Sequence, residues 1–401
     1  MDTSSGRLPD YDPLSAAQRA DPYGFYARAR AEAPVLYSER LGFWLVTRYE
    51  DVLGILRNPS DFSSRGALVS STADEAPEVL AILAEGTPEM PIITDTDPPL
   101  HDRLRGLVNR AFTPRRVAEL EPLVVETATE LIDGVAAAGR ADLVERFAWP
   151  LPLRVVGGMM RLPPADLETL HRWGNDWLAL QQPGHDLERR CELARSVVAM
   201  QRYFADVLAE RRRFPGDDLV SALVEAADAL DEPLPEAAVL GLPFDLVVAG
   251  HVTVTRAIGN AVLFLLESPE VAARVATGGD GVARVVEEIL RLESPAQGLF
   301  RTVVRDVEVG GVPIPAGAKV MVHFGSANRD DVFADAERFD PDRADLTQHL
   351  AFGKGLHFCI GAPLARLQLR VALPMLLARL RGLALDPERP PVREQIFFAR
   401  G

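Results

Sequence analysis

Cysteine is scarce in this chain: its 401 residues include only two, Cys191 and Cys359. Two thiols cannot build the disulfide framework of a small secreted domain, which fits a reducing cytoplasm. Basic charge is also short, with 43 Lys and Arg against 58 Asp and Glu and a formal net charge of −15. A nucleic-acid-binding face is therefore not expected, because phosphates demand basic side chains. The acidic surface serves solubility instead. Residues Met1 to Pro34 lack the apolar run of a signal peptide or membrane anchor. No Gly/Ser-rich or Pro-rich linker, repeat or low-complexity segment interrupts the chain, so one domain over residues 1–401 is expected.

What the chain does have is a large apolar share, 47% hydrophobic residues, enough for a sizeable core. Its longest apolar stretch, Leu240 to Leu266, contains Pro243, Asp245, His251, Arg256 and Asn260. Those residues would be costly at bilayer depth, whereas a helix apolar on all sides suits the centre of a large protein. A core helix and no membrane contact are expected. Helical periodicity also marks Pro114 to Ala138, Pro164 to Leu180, Leu187 to Arg213, Pro235 to Leu266, Pro269 to Leu292 and Leu364 to Leu380. Strand signals are short. Val35 to Ser38 and Phe43 to Thr47 flank Leu41-Gly42 as a hairpin, and Val307 to Val309 and Lys319 to His323 flank a Gly-Gly and Pro-Ala-Gly turn region. The fold class predicted is mainly α, with small β-sheets packed to one side.

Chemistry concentrates near the end, in Phe352-Gly353-Lys354-Gly355-Leu356-His357-Phe358-Cys359-Ile360-Gly361. Gly353, Gly355 and Gly361 permit backbone conformations that a Cβ forbids and a close approach to a flat ligand. Behind the loop, Ala362 to Arg370 reads as a helix with proline in its first turn, its positive end facing Cys359 and favouring a thiolate. A thiolate binds iron, so Cys359 is the candidate metal ligand. Cys191 lies in a plain helical stretch and reads as a packed free cysteine.

With that loop the chain resembles the cytochrome P450 family of haem-thiolate monooxygenases, specifically its soluble bacterial members, over almost its whole length. The resemblance implies haem b held between a long central helix and the helix behind the cysteine loop. It implies that His101 and Arg105, one helical turn apart after Asp97-Pro98-Pro99, contact the haem propionates together with His357 and Arg301. Phe352, Gly353, Cys359 and Gly361 complete the cofactor set. Glu288 and Arg291, which share a helix face at i and i+3, are implied to pair with Arg343 and brace the cysteine loop. As a surface pair they would contribute little.

In Ala249-Gly250-His251-Val252-Thr253, the resemblance marks Gly250, His251 and Thr253 as catalytic candidates. Gly250 makes room for cofactor and dioxygen, and Thr253 can bond the carbonyl one turn earlier and open a groove. His251 falls one residue too early to share the threonine's face. The family's acid before the threonine is here Val252, so this chain departs from the usual proton relay. Pocket candidates from the family's layout are Ile92, Ile93, Val248, Ala249, Val252, Gln297, Gly298, Leu299, Phe397 and Phe398, an apolar lining that suits a hydrophobic or aromatic small molecule.

Arg103, Arg105, Arg110, Arg115 and Arg116, joined by Lys354, form a basic cluster in an acidic chain. A solvated helix face is the plain reading. The resemblance makes it a docking face for an acidic ferredoxin, itself reduced by an NAD(P)H-dependent ferredoxin reductase. The implied reaction inserts one atom of dioxygen into the substrate. Oxidative coupling or peroxide-driven oxygenation is a second reading, and a catalytically silent haem protein a third, which the retained Cys359 and Thr253 disfavour.

Overall fold

The structure is a computed structural model that describes residues 12–13, 15–68, 75–182, 184–279, 281–393, 395–396 and 399–401. The apolar stretch forms one helix, Glu236–Glu267, the central helix. By length and composition it could cross a membrane, yet 72% of its most apolar window is buried inside the protein. Its polar residues are accommodated one by one. Asn260, for example, donates its amide to the carbonyls of Glu293 at 3.3 Å and Arg400 at 3.2 Å. Helices Pro150–Met159, Leu167–Leu180, Leu187–Arg213 and Ala362–Arg379 pack against it. Their buried faces merge with its own into the largest apolar core, running from Ile93 to Ala399.

Two predicted helices are broken where local chemistry demands it. Pro114 to Ala138 divides into Pro114–Ala118 and Glu121–Ala138, because Pro122 in the first turn of the second helix cannot donate to a preceding turn. Pro269 to Leu292 divides into Pro269–Ala276 and Gly281–Leu292. Gly278 and Gly279 between them take φ of +72° and +92°, left-handed conformations that end a helix. Pro164 begins a short 3₁₀ turn ahead of Leu167–Leu180.

The strands in chain order are β1 (Val35–Ser38), β2 (Phe43–Val46), β3 (Phe62–Ser63), β4 (Gly298–Val303), β5 (Val307–Val309), β6 (Val312–Ile314), β7 (Lys319–His323), β8 (Gln395–Ile396) and β9 (Ala399–Arg400). One sheet has the order β1-β2-β7-β4-β3, while β5-β6 and β8-β9 are separate hairpins. The predicted β1–β2 hairpin is present. The second predicted pairing is not. Val307–Val309 turns back across Gly310 and Gly311 onto Val312–Ile314, whereas Lys319–His323 lies antiparallel to β4 and parallel to β2. Every residue of β7 is buried, so it belongs at a sheet centre and not in an exposed hairpin.

Candidate functional site

The cysteine loop folds back on itself, the Cys359 amide donating to the Phe352 carbonyl at 2.9 Å. Gly353 and Gly355 have φ of +65° and +73°, where a side chain would be strained. A Cβ on Gly355 would stand 2.4 Å from the Leu56 carbonyl oxygen. Its smallness therefore lets the loop press on helix Tyr49–Leu56, and not on a flat ligand as expected from sequence. Gly361 is right-handed, with φ −81°, and caps helix Ala362–Arg379. Its conformation needs no glycine.

Cys359 is accessible to solvent but lies deep among protein atoms. Burial pushes its thiol up, while the amides of Gly361 and Ala362 and the charges of Arg105 and Arg366 pull it back. The helix N-terminus therefore favours the thiolate without prevailing alone. A coordinated metal ion supplies the missing charge and deprotonates such a thiol outright. Among the described residues no group of three or more His, Cys, Asp or Glu side chains is arranged to hold a metal. An iron at Cys359 must bring its other ligands with it, as a porphyrin does.

Around the loop the structure gathers the predicted cationic and donor groups. His101 is fully buried, its Nδ1 lying 3.0 Å from Asp102. Its Nε2 and that of His357 are both buried without a hydrogen-bond partner, and the two rings are 4.2 Å apart. Arg105 donates to the Phe358 carbonyl at 2.6 Å. Burial pushes the Arg301 guanidinium down to about 10, opposed by Asp97 and Asp95. Burial also brings His357 down to about 3, with further lowering by Arg301, His101 and Arg105. His357 Nε2, unpaired beside two guanidiniums, calls for an acceptor-rich anion, and His101, whose Nδ1 donates to Asp102, would join it as an imidazolium. The carboxylates of a haem fit that requirement.

The expected Glu288–Arg291–Arg343 network is formed and buried. Glu288 accepts two bonds from Arg291, both at 2.8 Å, two from Arg343 Nε at 3.0 and 3.1 Å, and the Asp340 amide at 2.9 Å. Arg291 goes on to the carbonyls of Asn328 and Ala336 at 2.7 Å. A second brace was not read from the sequence. Glu287 accepts two bonds from Arg366 at 2.6 Å and one from His349 at 2.9 Å. Arg366 also lies 4.4 Å from the centre of the Phe352 ring. The only hint of this was an adjacent Glu287-Glu288 pair, whose outer member looks like surface charge. Asp95 and Asp97 were likewise missed. They accept backbone and hydroxyl donors from Ser63 to Ala67 and act on Arg301.

On the central helix, Ala249 is exposed and Thr253 half-buried, and the Thr253 hydroxyl donates to the Ala249 carbonyl at 3.2 Å. Gly250 points elsewhere: a Cβ there would meet Val156 at 2.9 Å, so it serves packing against helix Pro150–Met159. That corrects its expected role of making room for cofactor and dioxygen. His251 also leaves the threonine's face. It is fully buried against Gly174, with Nδ1 2.6 Å from the Val247 carbonyl and Nε2 3.3 Å from His171 Nδ1. A carbonyl only accepts, so His251 carries its proton on Nδ1 and its Nε2 receives the proton of His171. His171 stacks on Trp149 at 4.2 Å. Burial brings His251 down to about 4.

The pocket candidates separate. Ala249 and Leu299 keep accessible surface. Ile92, Ile93, Val248 and Val252 are packed among other side chains and offer at most their edges. Gln297 is locked in the core, its amide donating to the Ser294 carbonyl at 2.7 Å and its oxygen facing the Tyr26 hydroxyl at 3.3 Å. Gly298 is set by strand pairing, since a Cβ would lie 2.4 Å from the Val322 carbonyl. Phe397 and Phe398 lie outside the described residues.

An α-rich fold with an exposed thiol just ahead of a helix, beside buried groups suited to carboxylates, is the arrangement expected of a haem-thiolate protein. Residues 281–398 match the family model of Cytochrome P450. The chain is 37% identical over 393 residues to cytochrome P450 107B1 of Saccharopolyspora erythraea, covering 95% of this chain and 93% of that one. It is 39% identical to the mycinamicin IV hydroxylase/epoxidase of Micromonospora griseorubida, with 95% and 88% covered. Among solved structures, the Tepidiphilus thermophilus P450 heme domain superposes with a TM-score of 0.87 at 30% identity, covering 92% and 90% of the two chains. Bacillus megaterium CYP109E1 in complex with testosterone gives 0.84 at 30%, covering 96% and 97%. The chain belongs to the cytochrome P450 family of monooxygenases, and haem b is its cofactor.

Proposed function

We propose that this monooxygenase hydroxylates or epoxidises an apolar small molecule of natural-product type, in the cytoplasm, with electrons from a ferredoxin and its NAD(P)H-dependent reductase. The observation that carries the reading is the accessible Ala249–Thr253 edge of the central helix, an apolar surface with one hydroxyl, in a chain whose relatives include the mycinamicin IV hydroxylase/epoxidase and an erythromycin C-12 hydroxylase. In this reading Cys359 would ligate the haem iron, and His101, Arg105, Arg301 and His357 would hold the propionates. When bound, haem supplies the activation of dioxygen. Thr253 is the one polar side chain of the 251–253 segment on the accessible face, because Val252 is covered and both nitrogens of His251 are engaged. A polar group of the substrate beside Thr253 completes proton supply.

Arg110, Arg115 and Arg116 are exposed and form the ferredoxin face in this proposal. Arg105 is withdrawn from it by its bond to Phe358. The test is spectroscopic and catalytic together. The carbon-monoxide complex of the reduced protein should show the strongly red-shifted Soret band of thiolate ligation, lost in Cys359→Ser and kept in Cys191→Ser. Dioxygen uptake should require ferredoxin and reductase. Product formation with hydrogen peroxide alone, unaffected by ferredoxin, would replace this reading with the peroxide-driven one.

A further inference from the structure

Asp245 is a buried carboxyl on the central helix that neither the cofactor site nor the brace employs. It stands four residues before Ala249 and eight before Thr253, roughly 12 Å along the helix from the latter. Its Oδ2 accepts the Ile93 amide at 3.1 Å, and the Thr94 amide also bonds to the carboxyl. One helical turn earlier, Gly241 lets the same segment touch the helix: a Cβ there would lie 1.9 Å from the Pro91 carbonyl oxygen. Residues 91–95 are thus seated on the central helix at two consecutive turns, one by bare backbone contact and one by a carboxyl. The segment leads through Asp97 into helix Leu100–Ala111, which carries His101 and Arg105.

We propose that Asp245 is the positioning residue that seats segment 91–95 on the central helix, and that a proton on its side chain sets how firmly the segment is held. The sign follows from linkage. Burial raises Asp245 to about 7, partly offset by the Ile93 and Thr94 amides, while the nearby Asp95 raises it further. Among the described residues Asp95 is the charged group acting on it, and Asp95 is itself raised by burial and held by the amides of Gly66 and Ala67. Lifting the segment hydrates Asp245 and returns it towards an ordinary carboxyl, near 3.8. The seated state therefore binds the proton more tightly than the lifted one. The segment is held most firmly below about 3.8 and loosens progressively as pH rises to about 7, uncovering Ile92 and Ile93.

The experiment is amide hydrogen exchange on the haem-loaded protein, with rates at each pH divided by the intrinsic rate. Protection at Ile93 and Thr94 should fall on the order of tenfold between pH 5.5 and 7.5. In Asp245→Asn, which keeps the shape and the acceptor but cannot ionise, protection should be flat over that range. A profile that persists in Asp245→Asn overturns the proposal. So does one that vanishes in Asp95→Asn but not in Asp245→Asn, since Asp95 would then be the titrating group. The readout is independent of turnover, so failure of the hydroxylase reading leaves it standing.

Discussion

The Nε2 atoms of His101 and His357 are both buried without partners, on rings 4.2 Å apart that stand 256 residues apart in the sequence. A pair of imidazoles in that state is costly unless an acceptor-bearing ligand meets it, because each unmatched buried polar atom carries a penalty of about 1–3 kcal/mol. His101→Phe keeps the volume and removes a ring that, with Nδ1 donating to Asp102, would meet an anion as the imidazolium. It should weaken haem retention on the order of tenfold, read as faster transfer of haem to an acceptor protein, with the thiolate-type spectrum unchanged in the fraction still loaded. Equal retention would mean that His101 does not face the cofactor's carboxylates.

Glu288 receives five hydrogen bonds in full burial. Its removal strands two guanidiniums. Glu288→Ala should destabilise the fold by about 3–5 kcal/mol, the usual cost of breaking one side of a buried ion network, measured by denaturant unfolding. Glu287→Ala touches the half-buried second brace and should cost less.

His251 gives the protein an acid-sensitive step. Its pKa is about 4 in the fold against an ordinary 6.5. The unfolded chain therefore takes up a proton that the native helix refuses, and stability is lost as pH falls from 6.5 towards 4. The contribution is roughly 3 kcal/mol, and burial of His323, brought to about 3, adds in the same direction. Asp245 opposes it with the reverse sign. His251→Asn should reduce proton uptake on unfolding near pH 5 by about one, measured by the pH slope of the unfolding free energy.

Thr253→Ala should raise peroxide release at the expense of product, since no other polar side chain of the 251–253 segment reaches the accessible face. The loss should be smallest for substrates that bring a hydroxyl or amine to the iron. Matching coupling for the native substrate and its deoxy or desamino analogue in the unaltered enzyme would instead point to a solvent route.

Charge reversal at Arg110 or Arg116 should slow reduction by ferredoxin several-fold at low ionic strength, with the difference vanishing in high salt. Stopped-flow reduction rates report it directly. Ligand-induced spectral shifts should stay the same, because these side chains are exposed.

Much of this protein could be read along the chain, because several of its devices are local. The glycine-framed Cys359, the proline starting its helix, the i and i+3 pair Glu288 and Arg291, and the short apolar runs at β1, β2 and β7 each declare themselves within ten residues or so. Backbone conformation and helix-face neighbours are short-range properties, so sequence suffices for them. The roles of glycines and pocket residues were decided only by packing. Gly250 answers to Val156 and Gly355 to the Leu56 carbonyl, contacts whose partners lie far away in sequence. The orientation of His251 towards His171, the burial of Val252 and the seating of Ile93 on Asp245 depend in the same way on which helix lies against which face. Sequence periodicity shows that a face is apolar. Which neighbour covers it, and hence which side chain is left for the substrate, is fixed when the helices pack.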